Sequence, residues 1–122
     1  MRLTPTESQE QIAIFEWAYR SLNRVPELRL LHAIPNGGAR SARTGARLKK
    51  EGVKPGVPDI CLPIPRGKYH GLYIELKAGK NKTSPEQKAW LDLLESAGYC
   101  AVCCLGSESA INRIEKYLKG IE

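Results

Sequence analysis

The sequence predicts an α/β fold, a mixed β-sheet flanked by helices in the order αβ(α)ββαβα. Three observations carry that expectation. A Ser or Thr followed by proline opens two helical segments, Thr4-Pro5 and Ser84-Pro85. Short apolar runs bounded by Pro or Gly recur at 28–34, 59–63, 71–77 and 99–105, as strands do. Helical and strand-like segments also alternate along the chain, with no repeat, low-complexity tract or linker to divide it. The 122 residues are expected to form one domain, 1–122, with a single core.

Taken in order, the first helix is capped by Thr4, with Pro5 at its first position and Glu7 three residues after the cap. Its apolar stripe is Ile14, Phe15, Ala18 and Leu22, and projected back the stripe passes through Gln11 and Glu7. A strand from Leu28 to Ile34 follows, stopped by Pro35, and then a turn-rich Pro-Asn-Gly-Gly-Ala-Arg loop. Residues 41–51 favour a short basic helix ended by Gly52, and 53–58 are loop or bend. Asp59 to Pro63 and Gly71 to Lys77 read as two strands of a hairpin centred near Gly67. Ser84 caps a helix that Gly98 ends; a cysteine-rich strand and a helix from Ser107 to Leu118 complete the chain.

Composition excludes several classes. No apolar run approaches the ~18–20 residues of a membrane-spanning helix, and the N-terminus lacks an apolar signal stretch, so the expected location is the cytoplasm, with no membrane partner. Cys61, Cys100, Cys103 and Cys104 have neither a second CxxC nor an HxxxH beside them, so they read as reduced core cysteines rather than a zinc site. His32, in an apolar strand, reads as a packed histidine. Net charge is +6, and the excess sits in the middle: six basic residues against one acidic over 36–58, five against two over 59–82. A polyanionic partner follows, nucleic acid being the commonest.

The chemistry points to Glu75-Leu-Lys77. Side chains alternate along a strand, so Glu75 and Lys77 share one face while Ile74 and Leu76 take the other. In a hairpin centred near Gly67, Asp59 falls opposite Glu75, where cross-strand Cβ atoms are about 5 Å apart. Two carboxylates so placed repel unless a cation lies between them. Hard oxygen ligands without paired Cys or His suit Mg²⁺ or Mn²⁺. Such an ion activates water against a phosphodiester, and Lys77 is placed to stabilise the charge that develops. The carbonyl of Leu76 is a further candidate ligand.

Gly56-Val-Pro-Asp59, Tyr73-Ile-Glu-Leu-Lys77 and Ser84-x-x-Gln87, preceded by Ile34-Pro-Asn-Gly-Gly and a glutamate-bearing first helix, resemble the VRR-NUC family of the PD-(D/E)xK nuclease superfamily. The resemblance spans roughly residues 7 to 105 and implies a restriction-endonuclease-like fold. It implies that Asp59 and Glu75 bind the metal, that Lys77 is the catalytic lysine, and that Gln87 is the glutamine on the following helix. The family's first-helix acid falls on Glu7, with Glu10 and Gln11 as the alternatives. Both Glu7 and Gln87 also fit plain capping boxes. Stand-alone, phage-borne members of that family are minimal versions, which this chain resembles; their setting would be a bacterial host cell.

The DNA-binding candidates are Asn36, Gly37, Gly38, Arg40, Arg43, Arg47, Lys49, Lys50 and Lys54. Arg43, Arg47 and Lys50 would share a helix face suited to tracking phosphates, and the glycines let backbone amides approach one. Tyr69 and His70, at the hairpin tip, are candidates to stack on an unpaired base. The expectation is a Mg²⁺- or Mn²⁺-dependent DNA endonuclease acting on branched structures such as Holliday junctions or flaps. A twofold dimer is the economical design for symmetric cuts. The competing reading is a nucleic-acid-binding module without chemistry.

Overall fold

The computed structural model describes residues 6–35 and 42–121, and within 42–121 the side chains of residues 42 and 43 are not described. Helix α1 (Glu7–Arg20) is followed by a 3₁₀ turn (Pro26–Leu30), strand β1 (His32–Ala33) and helix α2 (Ala42–Lys50). Strands β2 (Ile60–Leu62) and β3 (Leu72–Lys77), helix α3 (Pro85–Ser96), strand β4 (Cys100–Leu105) and helix α4 (Gly106–Leu118) complete the order. The sheet runs β1-β2-β3-β4; the first three strands are antiparallel, and β4 lies parallel to β3 after the α3 crossover. The mixed sheet flanked by helices is the architecture the sequence predicts. No helix among the described residues is long and apolar enough to cross a membrane.

Strand alternation divides the sheet into two chemically different faces. Ile60, Leu62, Leu72, Ile74, Leu76, Cys100 and Cys104 form one core with Ile14 and Ala18 of α1 and Ala110, Ile114 and Tyr117 of α4. The intervening positions, Tyr73, Glu75 and Lys77 on β3 and Ala101 and Cys103 on β4, belong to the opposite face. There α3 packs along β4 without burying any residue of its own. Glu75 and Lys77 are nevertheless among the few buried charged residues, 1% and 7% exposed.

Three local expectations are corrected. The first helix is capped by Thr6, not Thr4: its hydroxyl accepts from Gln9 N–H, and the Gln9 side chain accepts from Thr6 N–H. Thr4-x-x-Glu7 and Thr6-x-x-Gln9 are overlapping capping boxes, and the second is the one used; Pro5 lies outside the described residues. Of the expected strand from Leu28 to Ile34 only His32 and Ala33 are in the sheet, and its first three residues belong to a 3₁₀ turn. Pro26 starts the turn, and Leu28 and Leu31, three apart, bury the same side of it. His32 is exposed, its Nδ1 2.9 Å from the Leu30 carbonyl, rather than packed.

The cysteines divide. None of the four is in a disulfide, and Cys61, Cys100 and Cys104 are buried as expected, but Cys103 is exposed. It lies on the side of β4 that α3 leaves partly open, beside Leu105, which is also exposed.

Candidate active site

The β2–β3 register places the two acids together. Ile60 pairs with Ile74, Cys61 with Tyr73 and Leu62 with Leu72, and one step further Asp59 stands opposite Glu75. Asp59 sits where β2 begins, held by two backbone contacts: its carbonyl accepts from Ile34 N–H at 2.7 Å, and its carboxylate accepts from Leu76 N–H at 2.8 Å. The loop leading to it is pinned by a glycine. At Gly56, φ is +88°, and a Cβ there would come within 2.7 Å of the Glu86 backbone. Only glycine combines that conformation with that approach, so the Gly56-Val-Pro-Asp loop lies against the first turn of α3.

Burial raises the Glu75 pKa to about 7, with the adjacent Asp59 charge adding to the effect and Lys77 opposing it. Asp59 is raised too, chiefly by burial, with the Leu76 amide opposing it. Lys77 Nζ stands 3.4 Å from Glu75 Oε2, while Glu75 Oε1 is buried without a hydrogen-bond partner. A buried, unpartnered carboxylate oxygen beside a second carboxylate is what a divalent cation relieves. Among the described residues, no three His, Cys, Asp or Glu side chains are grouped to form a metal cage. A cation would therefore rest on this pair and complete its shell with backbone, water or phosphate oxygens, the habit of Mg²⁺.

The groove before the pair is lined by Glu7, Gln11, Asp59, Glu75, Leu76 and Gln87, among others. Glu7 opens α1, and its carboxylate accepts from Asn81 Nδ2 at 2.9 Å across the groove mouth. Gln87 is at the third position of α3; its Oε1 accepts from Ser84 N–H at 2.8 Å in a capping box. That bond uses its carbonyl, so the amide nitrogen is the end suited to a substrate oxygen. Glu10 turns elsewhere. It accepts from Ser107 N–H and caps α4, whose own N-cap Leu105 supplies no side-chain bond. Asn81 is invisible to motif reading because its partner Glu7 is 74 residues distant.

The basic residues fare differently. Helix α2 ends as expected at Gly52 (φ +99°), with Val53 N–H bonded to the Leu48 carbonyl. Arg47, Lys49, Lys50 and Lys54 are exposed. Arg43 lies in α2. Asn36, Gly37, Gly38 and Arg40 lie outside the described residues. Tyr69 and His70 are engaged within the protein, Tyr69 against Tyr117 at 6.3 Å between ring centroids and His70 edge-on to Tyr99 at 5.7 Å.

A four-stranded mixed sheet with an acid at the start of one strand and Glu-x-Lys on its neighbour defines a restriction-endonuclease-like protein of the PD-(D/E)xK type. The profile of the VRR-NUC domain matches residues 5–108, and the chain belongs to that family of nucleases. A solved structure described as a VRR_NUC domain protein is 34% identical and superposes with a TM-score of 0.83, covering 96% of this chain and 91% of that one. No curated protein matches the sequence.

Proposed function

We propose that the protein is a Mg²⁺- or Mn²⁺-dependent endodeoxyribonuclease that hydrolyses DNA phosphodiester bonds. The observation that carries this reading is the half-buried Asp59 beside the buried Glu75 and Lys77, with one Glu75 oxygen lacking any hydrogen-bond donor. A binding module would have no use for two acids set against a phosphate, and their mutual crowding destabilises the fold. Asp59 and Glu75 would hold the cation with the Leu76 carbonyl, and Glu7 would face it from α1. When bound, the ion supplies charge neutralisation at the scissile phosphate and an acidified water.

The chain's own residues do the rest. Lys77, held by Glu75, presents a fixed positive charge where negative charge grows on the phosphate. The Leu76 amide keeps the Asp59 carboxylate oriented toward the site. Gln87, its carbonyl already engaged, can donate from its amide to a phosphate oxygen or to the attacking water. Exposed Arg47, Lys49, Lys50 and Lys54, with Arg43 and the 36–40 segment, would hold the DNA backbone. Branched DNA and a twofold dimer fit the same reading, since paired cuts in a junction need two such sites.

The test is cleavage of labelled duplex, single-stranded, flap and four-way DNA with Mg²⁺, Mn²⁺ or EDTA. Cleavage in either metal, lost in EDTA and in Glu75→Gln, supports the reading. Binding without cleavage across the whole set would leave the non-catalytic module.

A further inference from the structure

Helix α1 carries more apolar surface than its core face needs. Ile14 and Ala18 face the interior. Ile12, Phe15 and Tyr19 form a second stripe at i, i+3 and i+7, which turns toward the catalytic groove. Two of them are large and open, Ile12 at 56% and Tyr19 at 78% exposed, and Phe15 is half-buried against the core. One groove of about 1050 Å³ joins this stripe to the carboxylates. Glu7, Asp59, Glu75 and Gln87 line it together with Tyr19 and Arg20 at the other end of α1. From Ile12 to Tyr19 the stripe runs about 10 Å along the helix axis.

The lining says which part of a nucleic acid fits. Glu7 and Glu16 put two negative charges on this wall against the single positive charge of Arg20 at its outer end, so a phosphate backbone is disfavoured along it. The flat apolar face of a base carries no such penalty, and it stacks on an aromatic ring whatever its identity. A base paired within a duplex has its faces covered by its neighbours and cannot present one to Tyr19. An unpaired base can. The aromatic rings at the hairpin tip, Tyr69 and His70, already pack on Tyr117 and Tyr99.

We propose that the α1 groove seats unpaired nucleobases of the substrate strand a few nucleotides from the scissile phosphate, with Tyr19 as the stacking platform, Phe15 and Ile12 as the apolar floor, and Arg20 at the outer end. The groove thereby selects DNA with unpaired bases near the cut. This inference rests on the nuclease reading above and adds the residues that set its substrate preference.

Fluorescence anisotropy in EDTA, where no cleavage occurs, tests it with a labelled oligothymidine strand and a blunt duplex of equal length. The preference of the wild type for the single strand should fall roughly 5- to 150-fold in Tyr19→Ala, the range of one base–aromatic stack, and Tyr19→Phe should retain most of it. Tyr19 is open to solvent, so its replacement leaves the core intact. An unchanged preference, or an equal loss on both probes, overturns the seat. Wild-type cleavage with Mg²⁺ separates the two readings. DNA cut normally while binding ignores Tyr19 removes the seat and leaves the nuclease; no binding and no cutting removes both. Sedimentation velocity covers the other occupant: a wild-type dimer that Tyr19→Ala dissociates would mean that the groove holds a second copy, which also overturns the seat.

Discussion

The carboxylate of Asp59 accepts its hydrogen bond from the backbone N–H of Leu76, the residue between Glu75 and Lys77. Leu76 buries its side chain in the core while its amide orients a site residue on the neighbouring strand. Asp59→Asn keeps an oxygen to accept that bond and removes one of two crowded charges. Metal-free stability at neutral pH should therefore hold or rise by about 1 kcal/mol. Divalent-ion affinity should fall more than about tenfold, the smaller of the losses seen for residues one layer further out. Urea unfolding and titration calorimetry check the two halves separately; wild-type affinity in the variant would exclude a shared site.

The Glu75 carboxyl gives the metal-free protein a pH dependence of definite sign. Its pKa rises from 4.5 to about 7 on folding, so between those values the folded state keeps a proton that the unfolded chain has released. Stability should decline as pH rises through that window, by about 3 kcal/mol in all, and level off above it. Urea unfolding in EDTA at pH 5 and pH 8 measures the decline. Glu75→Gln should flatten it, and added Mn²⁺ should restore stability at pH 8. A protein more stable at pH 8 than at pH 5 without metal would refute the assignment.

Lysine does not ligate hard cations as the carboxylates do, so Lys77→Ala should leave metal and DNA bound while slowing the chemical step roughly 10²- to 10³-fold. Single-turnover cleavage at saturating protein isolates that step. A variant cutting at the wild-type rate would remove Lys77 from the mechanism.

Neutralising Arg43, Arg47 and Lys50 together should weaken DNA binding alike for all sequences. On duplex DNA the log–log salt slope should fall by about 0.9 for every phosphate that α2 no longer neutralises. An unchanged slope would make α2 a solvated surface only.

Much of the site is legible in the sequence because it is local. The hairpin pairing of Asp59 with Glu75 follows from a turn centred near Gly67, and the shared face of Glu75 and Lys77 follows from strand alternation. Ser84, Pro85 and Gly98 bound α3 as their chemistry dictates. What is not legible depends on distant parts of the chain. Leu28 and Leu31 fit a strand as well as a 3₁₀ turn until packing against the core decides. Cys103 reads as core because its neighbours are, and only the incomplete cover of α3 over β4 leaves it open. Glu10 stands as an alternative to Glu7 in the sequence because the amide it serves is 97 residues away.

That last bond ties distant parts of the chain together within one turn of helix. Glu7 faces the catalytic groove, and Glu10, three residues on, is tied to Ser107 at the start of α4. During synthesis the Asp59–Glu75 hairpin can close early, since its partners are neighbours in sequence. The helix that carries Glu7 gains its bond to Ser107 only once the start of α4 has left the ribosome. A growing chain, or one that stops short of α4, therefore lacks one of the ties that hold the helix bearing Glu7.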